Sequence, residues 1–315
     1  MEFKQISGKV VKWLGFLVVL CGGALLFGCS GGGSDSDGGS DSGSDPGQAE
    51  AYVVTSPVRI SEFDAQTLLV SDANTQKVLL VDKQTLEPTD GFKVAGKPSG
   101  VVFADNQFFV GNSTNGSVDV FNRAGRLVRR LGERGQFGLV NDLAINRALG
   151  LIYVLDAKTR LVSLFQLDGT AVGTIGPEPM TRPTALTIDG TGRLIVSDFG
   201  NPANGSFSAR PVSLQVFNAA GGFSHSINVG TNENTTPQGL FADTTYVYMA
   251  NARSGEVKVF NIDTAAQVLT LGTLGVGAGE LFYPLDVYVD ALTSEVFVTD
   301  HKNQRITVYP GGGLP

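Results

Sequence analysis

Short apolar runs broken by Gly, Asn, Asp and Pro fill residues 51–315. Runs of this length, alternating or rich in β-branched residues, read as strands, and the breakers between them read as turns. The runs also recur in register. One class ends in Asp or Asn, at Asp72, Asn112, Asp156, Asp198, Asn251 and Asp300. Nine residues further on, the following run ends at Val81, Phe121, Phe165, Phe260 or Tyr309. In the fourth copy Phe217 comes nineteen residues after Asp198, which marks a ten-residue insertion. Fourteen to sixteen residues before each Asp or Asn stands Pro57, Pro98, Val140, Pro183, Pro237 or Pro284, so six units follow at spacings of 41, 42, 43, 54 and 47.

Each unit reads as four strands, and the fourth shows them as "PTALTID", "RLIVSD", "SLQVFN" and "FSHSINV". A four-stranded unit of about 40 residues, repeated in tandem, is the signature of a β-propeller blade. The expected fold is therefore all-β: a six-bladed propeller of four-stranded antiparallel blades over residues 51–315. The wording of the units resembles the NHL repeat, with "YPLDVYVDALTSEVFVTDHKNQRITVYP" as the clearest copy. That resemblance implies a propeller and leaves function open, because the repeat carries both enzymes and binding platforms. The last unit stops after its third strand, Arg305–Tyr309. The run Ala51–Thr55 has no place in the first unit, so it is expected to supply the missing fourth strand and cover that edge.

The N-terminus follows other rules. Lys4, Lys9 and Lys12 precede an apolar stretch from Trp13 to Phe27, the layout of a secretory leader. Its end, Leu26-Phe27-Gly28-Cys29, resembles the bacterial lipobox, which implies cleavage after residue 28 and a lipid on Cys29. Residues 29–50, mostly Gly, Ser and Asp, have nothing to bury and read as a disordered tether. Ser30 after the Cys resembles the outer-membrane sorting signal of enterobacterial lipoproteins. The expectation is an envelope protein held to the outer membrane by its acyl chains, with the propeller itself monomeric.

Charge and composition narrow the chemistry. The chain carries −7, and without residues 1–28 it keeps 20 basic and 29 acidic residues, −9. That disfavours nucleic acid as a partner. The two cysteines are Cys21 and Cys29, so the repeats have no disulfide and no thiolate metal site. The two histidines, His225 and His301, fall in different units, and no Ser-His-Asp set is visible. No cofactor is expected beyond the lipid on Cys29.

Two places remain where ligands could meet side chains. The innermost strands line the axial channel. Two residues after the Pro or Val marks they present Arg59, Gly100, Asp142, Ala185, Gly239 and Asp286, with Asn141 beside Asp142. Arg59 and Asp286 belong to neighbouring blades of a closed ring and are expected to pair. Asn141, Asp142 and Asp286 offer oxygen ligands that suit Ca²⁺. Six-bladed lactonases of the gluconolactonase kind place a catalytic Ca²⁺ in such a channel. A Ca²⁺-dependent hydrolase or lactonase is thus the alternative reading, opposed by the guanidinium at Arg59. The second place is the face formed by the second-to-third-strand turns and the connections between blades. It holds the fourth-unit insertion and the longest connections, and brings Phe137, Phe199, Phe207, Arg210, Phe282 and Tyr283 together. Loops on a rigid scaffold are where binding concentrates. The favoured function is a non-catalytic protein-binding or assembly module, its partner unidentified.

Overall fold

A computed structural model describes residues 52–133, 135–201, 210–231 and 233–311. Cys29, the leader, the tether, Ala51 and Phe207 lie outside them. Residues 50–315 form one compact unit. It is a six-bladed β-propeller. Blade one is β1 (Pro57–Glu62), β2 (Thr67–Asp72), β3 (Lys77–Asp82) and β4 (Pro88–Lys93). Blade two is β5 (Pro98–Ala104), β6 (Gln107–Asn112), β7 (Ser117–Asn122) and β8 (Leu127–Leu131). Blade three is β9 (Val140–Asn146), β10 (Leu151–Asp156), β11 (Leu161–Gln166) and β12 (Ala171–Ile175). Blade four is β13 (Pro183–Ile188), β14 (Leu194–Asp198), β15 (Val212–Phe217) and β16 (Phe223–Gly230). Blade five is β17 (Pro237–Ala242), β18 (Tyr246–Asn251), β19 (Glu256–Asn261) and β20 (Gln267–Leu271). Blade six is β21 (Pro284–Val289), β22 (Val296–Asp300) and β23 (Arg305–Tyr309). Neighbouring strands within every blade pair antiparallel in sequence order.

The burial pattern follows from stacking the blades face to face. The second strands are apolar on both sides, as in Leu68–Val70 and Ile152–Leu155, because each lies between two neighbouring blades. The outer strands β4, β12 and β20 are largely exposed. Six buried clusters result, one at each blade interface. The inner strands are sheet edges, which is why five can begin with Pro: no ladder partner needs its missing N–H.

The closure differs from the sequence expectation. Among the described residues blade six has three strands, and residues 52–56 do not pair with β23. Their polar groups are committed elsewhere. The amides of Thr55 and Ser56 donate to Asp72 Oδ2 at 2.6 and 2.7 Å. The Tyr52 hydroxyl donates to Gly91 O at 3.0 Å, and Lys77 Nζ stands 5.0 Å from the ring centroid. Tyr52 and Val54 still pack into the cluster that joins blade one to Tyr288, Phe297 and Ile306 of blade six. Side chains, not a ladder, seal this seam.

Candidate functional site

The Asp or Asn that ends each second strand is buried in every blade. Side chains of this kind bond the backbone of the tight turn that follows, and they do so here. Asp72 Oδ1 accepts the amides of Asn74 and Thr75, and Asp156 Oδ1 those of Lys158 and Thr159. They also grip the incoming connection. Asp156 takes the amides of Gly138 and Leu139, Asp198 those of Thr181 and Arg182, and Asp300 that of Phe282. Each one clasps two loops of the same face to its blade. Burial raises the Asp72 carboxyl, but donation from Thr75, Ser56 and Thr55 outweighs it and holds the group below the usual carboxylate range. Asp156 is depressed in the same way.

A bulge or register shift follows the first residue of each inner strand, between Pro57 and Arg59 and at the matching place in the other five. A bulge re-aims the side chain beside it, and here that residue is the one read from the sequence as facing the axis. Asp142 Oδ2 accepts the amide of Leu186 in the next blade, and Asp286 Oδ2 accepts that of Ile60. Each carboxylate needs a glycine in the preceding blade. A Cβ on Gly239 would collide with the Asp286 carboxylate, and one on Gly100 with the backbone of Leu143. The Gly-then-Asp pair thus recurs on opposite sides of the ring, at blades two and three and at five and six.

Arg59 crosses the channel. Its Nε lies 3.1 Å from Asp142 Oδ1, a charge contact in which the N–H is not aimed for a hydrogen bond. Nη1 donates to Leu285 O at 2.9 Å and Nη2 to Thr184 O at 3.0 Å. One guanidinium therefore joins blades one, three, four and six. The ion-pair partner is Asp142, across the axis, and not Asp286 in the neighbouring blade as the ring order predicts. Asp286 Oδ2 accepts the amide of Ile60, and Oδ1 lies against Gly239. The four residues read as a channel mouth are a plug: Arg59, Asp142 and Asp286 are each at most 5% exposed. Half-buried Asn141 donates Nδ2 to the same Thr184 O. Among the described residues no three His, Cys, Asp or Glu side chains are grouped to hold a metal ion. Beyond the plug the channel widens into a cavity of about 190 Å³ lined by Phe103, Ile145, Ile188, Phe241 and Tyr288. That cavity runs toward exposed Glu62 and Arg147, away from the long loops.

One guanidinium does not hold two fully buried carboxylates ionised. Burial pushes Asp286 up to about 8, against the pull of Arg59 and with the Asp142 carboxylate adding to the rise. Burial raises Asp142 as well, again against Arg59. The folded protein then keeps a proton on Asp286 that the unfolded chain loses near pH 4. Stability from this group is full below pH 4, declines from about pH 4 to about pH 8, and is flat above. Asp286→Asn keeps an oxygen for the Ile60 amide and carries no proton to lose. Its melting temperature is expected to fall less than the parent's between pH 5 and 8, and parallel curves would refute the assignment.

On the loop face the expected residues part company. Phe137 is not surface at all: it is 5% exposed and packs edge-on to Phe165 at 6.1 Å, in the core between blades two and three. The connection before β9 folds inward because Asp156 holds the amides just after Phe137. Phe199 is half-buried under the Arg182 guanidinium, 4.3 Å from its centroid. Exposed Arg210 donates to Pro179 O at 2.8 Å and meets Glu178 at 3.3 Å. Asn201 and Arg210 exchange both backbone bonds, at 3.1 and 2.9 Å, which closes the neck of the insertion. Phe282 and Tyr283 are exposed, at 44% and 39%. Leu274 and Val276 beside them were not singled out from the sequence, although apolar residues between glycines in "LGTLGVGAGELFYP" were the signal.

The fold and its plugged axis define a six-bladed propeller whose exposed chemistry sits on loops. A family described as "DUF5128: 6-bladed beta-propeller" matches residues 52–176. Over 106 residues the chain is 31% identical to Protein brain tumor of Drosophila melanogaster, a match covering 32% of this chain and 10% of that protein. The chain thus spans about a tenth of that relative's length. Among solved structures it resembles Kuenenia stuttgartiensis hydrazine synthase, with a TM-score of 0.61, 14% identity, and 85% of this chain and 80% of that one covered. It also resembles a structural genomics protein of unknown function from Bacteroides thetaiotaomicron, with a TM-score of 0.62, 14% identity, and 83% and 70% covered. At such identity the likeness to these two structures is one of fold.

Proposed function

We propose that the chain is a non-catalytic protein-binding or assembly module of NHL type, held at the outer membrane by a lipid on Cys29. The observation that carries this reading is the closed neck of the fourth-blade insertion. Asn201 and Arg210 pair with each other, Asp198 receives the amide of Gly200, and β14 and β15 run in register on both sides. The ring is complete without residues 202–209. They sit at a place where the other blades make a short turn, and extending a surface loop costs little closure entropy. The exposed Arg210 and the half-exposed Phe199 at the neck are residue types that carry interface energy when a partner covers them. The polar groups of the channel, by contrast, are committed to holding blades together. The partial match to Protein brain tumor is consistent with a binding module.

Replacing residues 202–209 by a short Gly-Ser link should leave the melting temperature within about 1–2 °C of the parent, as expected for a surface change. The same change should weaken capture of the partner that the parent retains from envelope extracts. Unchanged capture would remove the insertion from the contact surface. A stoichiometric rise in melting temperature with Ca²⁺ would instead support a Ca²⁺-dependent hydrolase.

A further inference from the structure

A second patch on the loop face lies away from the insertion, where blade five connects to blade six. The segment from Gly272 to Tyr283 is long, yet it is held at many points. Gly275 N donates to Leu281 O at 3.0 Å and Leu281 N to Thr273 O at 2.8 Å. The Arg305 guanidinium donates to the carbonyls of Val276, Gly277 and Glu280 at 3.3, 2.8 and 2.8 Å. Asn303 Nδ2 donates to Gly275 O and the Tyr309 hydroxyl to Gly279 O. Asp300 orients both Arg305 and Asn303, at 2.9 and 2.7 Å. Leu281 is buried beneath as the anchor. A loop fixed this firmly would be expected to bury its apolar side chains. It presents them instead: Val276 is 71% exposed and Leu274 56%, with Phe282 and Tyr283 alongside.

Cations flank the patch. Exposed Arg253 and Lys302 occupy the turns on either side of the loop. Its one acid, Glu280, accepts the Gly277 amide at 2.8 Å at the surface. The same face carries exposed Lys97, Lys158 and Arg182 together with exposed Glu133, Glu178 and Glu233. The described chain also enters the fold beside the patch. Ser56 Oγ is 3.5 Å from His301 Nδ1, and the His301 ring is 6.4 Å from that of Tyr283.

We propose that the Gly272–Tyr283 loop, with Arg253 and Lys302 flanking it, docks on an anionic phospholipid surface. An apolar tip, aromatic side chains with one polar end, and cations at the sides are what an interfacial contact requires. A stable protein partner would need about 800 Å² of shaped surface on each side, far more than four side chains on one loop provide. Lipid asks for no shape complementarity. The contact is separate from the insertion neck, and it orients the propeller against the bilayer to which the acyl group on Cys29 would hold it.

Residues 50–315, which contain all six interface cores and no acyl chain, are mixed with sedimenting vesicles. Vesicles of phosphatidylcholine with about a quarter phosphatidylglycerol should retain the protein, and pure phosphatidylcholine should not, since the cations need anionic headgroups. In about 0.5 M NaCl, where screening is short-ranged, retention should fall. The double variant Val276→Ser/Phe282→Ser should bind roughly ten-fold more weakly, because affinity scales with the apolar area inserted. Its melting temperature should match the parent's, as both positions are exposed. Failure of the parent to bind the anionic vesicles, or equal binding by the double variant, overturns the proposal. Protein capture that depends on Val276 and Phe282 without vesicle binding also overturns it, in favour of an acidic protein on this patch. The insertion variant should bind vesicles like the parent, so neither result bears on the proposed protein-binding role of residues 202–209.

Discussion

Arg59→Met is expected to lower the melting temperature by roughly 6–10 °C, the largest effect of any single channel substitution. The side chain fits the space but removes the charge. Asp142 is then a fully buried carboxylate without its cation, and Thr184 O and Leu285 O lose their donors. Removing one partner of a buried pair costs about 3–5 kcal/mol, and a domain of this size shifts by about 2 °C per kcal/mol. Most of that cost is the orphaned acid and not the lost attraction. The double variant Arg59→Met/Asp142→Asn should therefore recover much of the loss, since Asn still offers an oxygen to the Leu186 amide. Thermal melts of the parent, both single variants and the double form a cycle that isolates the coupling. A coupling near zero, or an Arg59→Met variant that melts with the parent, would show that the guanidinium does not hold the ring.

Asp300→Ala should cost about 3 kcal/mol or more, because several donors converge on one buried carboxylate and each one left unmet costs about 1–3 kcal/mol. Asp300 receives the amide of Phe282 at 2.7 Å, Asn303 Nδ2 at 2.7 Å, Arg305 Nε at 2.9 Å and Thr307 Oγ1 at 3.2 Å. Arg305 is partly exposed and can turn to water, so its share of the loss is small. The effect should also be local. Amide exchange at Gly275 and Leu281 should accelerate, since Arg305 and Asn303 hold that loop through Asp300. The amides of Ile152 and Val154 in blade three should keep their protection relative to global unfolding. Unchanged exchange in the loop would mean that Asp300 serves the blade alone.

These two residues also mark how far the sequence could be read. The recurrence of Asp or Asn at the end of the second strand exposed Asp300 and its counterparts, and a short polar side chain before a tight turn has a local use. Its second use, gripping the connection from the preceding blade, was not legible. Phe282 is eighteen residues from Asp300 in the chain, and the pairing of β21 with β22, which sets Pro284 opposite Asp300, brings its amide to that carboxylate. Arg59, Asp142 and Asp286 stood out as charges in a row of small residues. Their pairing did not, because neighbours around a ring are easy to infer while reach across an axis depends on side-chain length and on where bulges aim it. Phe137 was misplaced for the same reason: a connecting loop reads as surface until one knows which of its amides is pulled inward.

Period, turn residues and repeat spacing are local properties, set by backbone sterics and by the need to bury alternate faces. They determined the all-β class, the six blades and the start of each inner strand, Pro57 through Pro284, together with the insertion after Asp198. Seam, plug and exposure are decided between residues far apart. Whether residues 52–56 join a ladder depends on Asp72 competing for their amides. Whether a carboxylate keeps its proton depends on how many buried charges share one guanidinium. Whether Val276 and Phe282 stay in solvent depends on Arg305, Asn303 and Tyr309 holding their loop open. Those outcomes belong to the tertiary structure, because desolvation and packing act only once the blades have closed around the axis.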